Sequence, residues 1–232
     1  MTHAHIPHRI EHSRNRHSRA FLDGSTIVIR LARNLSAHEE QAHIDNLLRR
    51  MARQVRKEQE RSAIQPFEPL LQGAATLNVS TIFDAHTLFT LQPGTRTKGK
   101  EHASGWLVDV STQTKRASLH RLLWKLLSKT YADILSDRVR LVNQRTLNVA
   151  ISDTKLQYAQ SQWGSCSARG VIMLNTALLF TSEELLDYVI IHELAHCVRK
   201  DHSKAYWKVV ESALPNYDAL RKKLRTFKLS AL

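Results

Sequence analysis

His192-Glu193-Leu194-Ala195-His196-Cys197-Val198-Arg199-Lys200-Asp201-His202 places three imidazoles and a carboxylate within one short stretch. On a helix, residues four apart share a face, so His192 and His196 reach one ion at about 2.0–2.1 Å. Glu193 lies beside that face, where its carboxylate accepts the proton of a metal-held water. The His-Glu-x-x-His pattern thus supplies two ligands and a general base, the donor set of a zinc hydrolase.

The flanks predict that helix. Thr181-Ser182-Glu183-Glu184 has the spacing of a capping box, with Thr181 as N-cap. Leu185, Leu186, Val189, Ile190 and Leu194 then form an apolar stripe at helical spacing. A third protein ligand leaves one coordination position open for water. On an unbroken helix His202 would lie about 15 Å along the axis from His192, too far to share an ion. The helix is therefore expected to end just after His196, with Arg199 and Lys200 suited to its C-terminus and Asp201 or Ser203 capping a new helix toward Trp207. His202 is the preferred third ligand, and Glu211 on the following helix is the alternative.

The spacing of the three histidines equals that of the metzincin proteases. Arg199 stands where those proteins have a turn glycine, and the methionines are Met1, Met51 and Met173, with none beyond His202 to form a methionine turn. The chain is read as lying outside that group. A fuller match runs in order through Trp163-Gly164-Ser165-Cys166-Ser167, Val171-Ile172-Met173-Leu174-Asn175, Asp187 to His196, His202-Ser203, Trp207 and Pro215-Asn216-Tyr217. This series resembles the YgjP-like metallopeptidase-domain family, densely over residues 118–227 and loosely before. The resemblance implies a zincin-type core, a metal held by His192, His196 and His202, and Glu193 as general base. It also implies a second reading, since a nucleoside-triphosphate-hydrolysing activity has been associated with this family. The lead Gln160-Ser161-Gln162 departs from the basic or threonine-containing lead usual there, and Tyr206 replaces a common phenylalanine. Neither change touches a metal ligand; both bear on substrate preference.

Composition sets the frame. The chain has 232 residues, 42% of them hydrophobic, and a formal net charge of +13. No run approaches the length of a membrane span, and Met1 to Pro7 lacks the apolar segment of a secretory signal, so a cytoplasmic protein is expected. Cys166 and Cys197 are expected to be reduced and close to the site. Residues 1–20 carry five histidines among arginines and read as a basic, disordered tail.

Residues 21–117 read as a β-rich region with one long helix. A strand is expected at 26–31 and a helix opening at Ser36, followed by strands at 77–83, 87–91 and 106–110 and a mobile loop at 95–105. Residues 118–232 read as the catalytic core: a helix carrying Leu119, Leu123, Leu127 and Leu135, strands at 147–151, around Tyr158 and at 171–174, then the metal-binding helix and C-terminal helices. The fold class is α+β.

Charge is uneven. Residues 1–61 hold 12 basic and 7 acidic groups, residues 96–145 hold 11 and 4, and residues 199–228 hold 9 and 3. Such flanks attract polyanions, which admits nucleotides or nucleic acid as partners. The reading reached is a zinc-dependent hydrolase of the metallopeptidase type, with another divalent transition metal as a possible substitute. Trp163, Asn175 and Tyr206 are expected to border the cleft, and Asn175 or Tyr206 to offer a hydrogen bond to the polarised substrate oxygen. The alternative is a nucleoside triphosphate pyrophosphatase using the same centre. A third reading is a nucleic-acid-binding module with a structural zinc.

Overall fold

Alternating Ile27, Ile29 and Leu31 and the helical series Ile44, Leu47, Leu48 and Met51 have one way to leave water together. They form the core of the first of two units, residues 1–62. In this computed structural model, which describes residues 7–24, 26–59 and 62–229, the unit contains β1 (His8–His12), β2 (Arg19–Asp23), β3 (Thr26–Leu31) and α1 (Ala37–Gln59). The sheet order is β1-β3-β2, with β1 parallel and β2 antiparallel to β3. Ser36 and Glu39 cap α1 reciprocally: Glu39 Oε2 accepts from Ser36 N at 2.8 Å, and Ser36 Oγ accepts from Glu39 N at 3.4 Å.

The expected disordered tail is corrected here. Its first six residues lie outside the described residues, but His8–His12 is a strand and Arg19–Asp23 another. Ile10, the one apolar side chain of β1, is 43% exposed, so no hydrophobic pattern announces this strand. Its order comes from pairing with β3 and from Glu11, which accepts from Arg30 at 2.7 Å. Both contacts are remote in sequence.

The second unit, residues 63–232, opens with β4 (Ser62–Ile64), α2 (Glu68–Leu71), β5 (Thr76–Ser80), β6 (His86–Pro93), β7 (Lys98–His102) and β8 (Gly105–Val110). The last four strands form one sheet of order β5-β6-β8-β7. The helix α3 (Arg116–Arg145) then crosses two cores. Its first half buries Leu119, Leu123, Trp124, Leu127 and Tyr131 against Phe67, Val79, Phe89, Trp106 and Val108. Its second half buries Leu135, Val139 and Val142 in the core that holds the histidine-bearing helix. The chain divides into its two compact units at 62/63, and the expected boundary at 117/118 falls at the start of α3, the helix that serves both halves of the second unit. The expected loop at 95–105 contains β7, whose Gly99 lies so close to Leu126 that an added Cβ would sit 2.5 Å from its Cδ1.

After α3 the chain does not enter a strand at 147–151 as expected. Asn148 takes a left-handed φ of 46°, and the Asn143 side chain pairs with the backbone of Val149 on both its N–H and its C=O. These local bonds replace a strand ladder. The second sheet is built instead from β9 (Asp153–Gln157), β10 (Gly164–Cys166) and β11 (Val171–Asn175), in the order β10-β11-β9. A 3-10 turn (Thr176–Phe180) leads to α4 (Glu183–Val198), followed by α5 (Lys204–Ala213), α6 (Tyr217–Leu224) and β12 (Phe227–Leu229), which pairs with β4. Ser182, not Thr181, caps α4, because the Thr181 hydroxyl is spent closing the 3-10 turn on Leu178 O at 2.8 Å. The architecture is mixed α+β. Among the described residues no helix is long and apolar enough to cross a membrane.

Arg138 ties α3 to α4. Its Nε and Nη2 donate to the two carboxylate oxygens of Asp187, each at 2.7 Å, and its Nη1 lies 3.0 Å from Glu183. Arg138→Ala is expected to cost about 1.5–3 kcal/mol in urea unfolding, as loss of charged hydrogen bonds does. Arg140→Ala, which removes an exposed pair with Asp137, is expected to cost less than about 0.5 kcal/mol. Equal shifts in the two variants would remove the claim that Arg138 anchors α4.

Candidate metal centre

Three features of α4 position the site. It is buried on nearly every side, through Leu185, Leu186, Tyr188 to Ile191, Leu194 and Ala195. It ends at Val198, and Arg199 follows in an extended conformation, φ −139° and ψ 123°. Ser203 then caps α5, its hydroxyl accepting from Tyr206 N at 3.3 Å. The chain therefore turns back within a few residues and returns His202 to His192. The Nε2 atoms of these two rings are 3.4 Å apart. One nitrogen each from His192, His196 and His202 gather within 4.8 Å of one another. Glu211 is exposed and outside this cluster.

Two of the rings have their tautomers fixed by their other nitrogens. A carbonyl only accepts, so His196 Nδ1, 3.0 Å from Arg199 O, carries a proton and donates it. Tyr206 Oη donates its single proton to His192 O at 2.9 Å and so accepts from His192 Nδ1 at 2.7 Å. In both rings Nε2 is left with its lone pair, the tautomer a metal ligand needs. Burial, with His196, His202 and Arg221 nearby, lowers the pKa of His192 to about 3 and holds its ring neutral. A tetrahedral ion with nitrogen ligands at about 2.0–2.1 Å separates them by about 3.3–3.4 Å, which is the spacing between His192 and His202. The residues fit a divalent cation of the zinc type.

Glu193 is 5% exposed, and burial pushes its carboxyl up to about 8. It lies against β10: a Cβ on Gly164 would meet Glu193 Oε1 at 2.6 Å and its Cγ at 2.8 Å. The glycine of the Trp-Gly-Ser-Cys run is thus the seat of the carboxylate. β10 is an edge strand. Trp163 O accepts from Asn175 N and Ser167 N donates to Val171 O, both toward β11. By antiparallel alternation Gly164 and Cys166 turn their N–H and C=O to the opposite side, where no strand pairs with them among the described residues.

The remaining expected cleft residues divide. Trp163 is half-buried and packs against both cores of the second unit. Asn175 is fully buried, and its side chain is spent on Ala159 O, Gln162 O and Ala177 N. It holds the loop before β10, and both of its N–H donors are engaged there and not offered to a substrate oxygen. Tyr206 is also fully buried and holds His192. Its place four residues past His202, on the face of α5 that turns inward, was the sequence signal for this role. The half-buried Trp207 adds an aromatic wall: its ring stacks on Tyr217 at 5.3 Å, carries Arg221 at 4.4 Å and stands 5.8–5.9 Å from His192 and His202.

A mixed α+β fold that gathers three histidines beside a buried glutamate defines a metallohydrolase type of protein. The chain belongs to the YgjP-like metallopeptidase-domain family, whose model matches residues 16–227. Among solved structures it is similar to the crystal structure of the metallopeptidase zymogen of Pyrococcus abyssi abylysin, at 22% identity and a TM-score of 0.37, over 41% of this chain and 99% of that one. No curated protein matches the chain.

Two outcomes are expected. Tyr206→Phe removes the acceptor of His192 Nδ1–H and is expected to weaken divalent-metal binding about 10–100-fold in a chelator competition. Unchanged affinity would show that the bond does not support the site. The second concerns pH. The buried Glu193 carboxyl keeps a proton that the unfolded chain releases above its ordinary value of 4.5, so its stabilisation is present at low pH and lost as pH rises through about 8. In chelator-treated protein, Glu193→Gln is expected to gain stability relative to the parent across that window; parallel stability curves would contradict this.

Proposed function

We propose that the chain hydrolyses peptide bonds at a divalent metal, zinc by the chemistry of the donors, held by His192, His196 and His202, with Glu193 as general base. The observation that carries this reading is the seating of Glu193 against an edge strand whose backbone groups are turned outward. An extended polypeptide adds to such an edge by main-chain hydrogen bonds, and here Gly164 and Cys166 offer them. That pairing brings a scissile amide along the same strand that touches the Glu193 carboxylate.

When bound, the metal polarises the substrate carbonyl and acidifies water at neutral pH. His192 and His196 hold their lone pairs toward it because Tyr206 and the Arg199 carbonyl take up their Nδ1 protons. Glu193, whose charged form a cation at the histidines would favour over the neutral form that burial alone selects, takes the proton of the attacking water and delivers it to the leaving amine. Gly164 allows that carboxylate to approach, since any side chain there would displace it.

The test is cleavage of an unfolded protein such as casein by metal-loaded chain, Glu193→Gln and chelator-treated chain, with nucleoside triphosphates followed by phosphorus NMR in parallel. Cleavage is expected from the wild type, reduced about 10²–10⁴-fold in Glu193→Gln with metal content unchanged, and abolished by the chelator. Equal cleavage by wild type and Glu193→Gln would overturn the role of the base. Pyrophosphate release without proteolysis would move the assignment to nucleotides.

A further inference from the structure

Two thiols that the metal chemistry does not use meet at the edge of the site. Cys166, the last residue of β10, and Cys197, which directly follows His196 on α4, bring their sulfurs to 3.5 Å. They come from segments 31 residues apart in sequence, so only the tertiary fold joins them. Both are half-buried, within reach of a small solute. Lys200 Nζ lies 3.7 Å from Cys166 Sγ and 3.2 Å from Ser167 O, placing a cation beside one sulfur of the pair.

We propose that Cys166 and Cys197 are a redox modification site, oxidised by hydrogen peroxide to a disulfide that staples the substrate edge to the histidine-bearing helix. The separation of 3.5 Å is sulfur contact, and closing it to a bond of about 2.05 Å asks for a movement of about 1.5 Å. In the first step the Cys166 sulfur attacks one peroxide oxygen, the O–O bond breaks, and the thiol proton leaves with the other oxygen as water; the sulfur is oxidised to a sulfenic acid. In the second, Cys197 sulfur attacks Cys166 sulfur, the S–O bond breaks, and the hydroxyl departs with the Cys197 proton as a second water. Two thiols lose two electrons, and one peroxide gains them. Reduction by a dithiol reverses the sequence through a mixed disulfide.

The consequence for turnover rests on the peptidase reading. Cys166 supplies one of the two outward-facing backbone positions of β10, and Gly164, two residues away on the same face, seats Glu193. A bond that draws this strand to α4 shifts both the substrate edge and the seat of the base. A misplacement of about 1 Å costs up to about 100-fold in rate.

The experiment treats the full-length, metal-loaded chain with hydrogen peroxide and reads intact mass, free thiols and the cross-linked peptide, with casein cleavage measured on the same samples. Expected are loss of both thiols, a mass lower by two hydrogens, a peptide joining Cys166 to Cys197, cleavage slowed by about 10-fold or more, and full return with dithiothreitol. Cys197→Ala, whose substitution leaves all three histidines in place, is expected to gain oxygen on Cys166 without any internal cross-link. Sulfinic acid on Cys166 of the wild type without cross-linking, thiols that stay titratable, or a disulfide only between two copies would overturn the proposal. A cross-linked chain that cleaves as fast as the reduced one would overturn the switch. A chain that cross-links but cleaves no protein in either state would refute the peptidase reading and leave the dithiol site standing.

Discussion

A helix buried on nearly every side must deliver imidazoles and a carboxylate at one end, and the second unit is arranged around that constraint. α4 is packed by α3, β11, α5 and α6 through Leu135, Ile172, Leu174, Val210 and Leu220. Burying a carboxylate beside them is costly unless the group is neutral or paired. Burial pushes the Glu193 carboxyl up to about 8. On the proposed function, a cation held by the three histidines offsets that cost, so the apolar packing that stabilises the fold also prepares the site.

The end of α4 couples fold and chemistry at one residue. Arg199 leaves the helical conformation, and its freed carbonyl accepts from His196 Nδ1, which fixes that ring with Nε2 unprotonated. The same turn returns the chain through His202 to the Ser203 cap of α5, and α5 carries Tyr206 back to His192. Helix termination, ring tautomer and the convergence of the histidines are therefore one event. A longer α4 would lose all three.

The packing of the long α3 and several of the strands were not legible in the sequence. Its apolar series is legible, but a periodic stripe states that a face is buried without saying by what. Here two different layers cover it, the four-stranded sheet over Leu119 to Tyr131 and the histidine-bearing core over Leu135 to Val142. β7 and β1 escape notice for a related reason: Lys98–His102 and His8–His12 have few apolar side chains, and their order comes from backbone pairing across the sheet. Residues 147–151 alternate like a strand, yet Asn143 captures their backbone before a ladder forms.

The spacing of His192, Glu193 and His196, the apolar stripe before them and the requirement for a break before His202 follow from helical periodicity, which is local and written along the chain. The α+β class and the family are legible for the same reason, as ordered motifs. The seating of Glu193 on Gly164, the support of His192 by Tyr206, the full engagement of Asn175 and the meeting of Cys166 with Cys197 join separate segments. No local pattern encodes such contacts, because each depends on how β10, α4 and α5 pack to remove apolar surface from water. Periodicity decides which face a residue occupies; packing decides what that face meets.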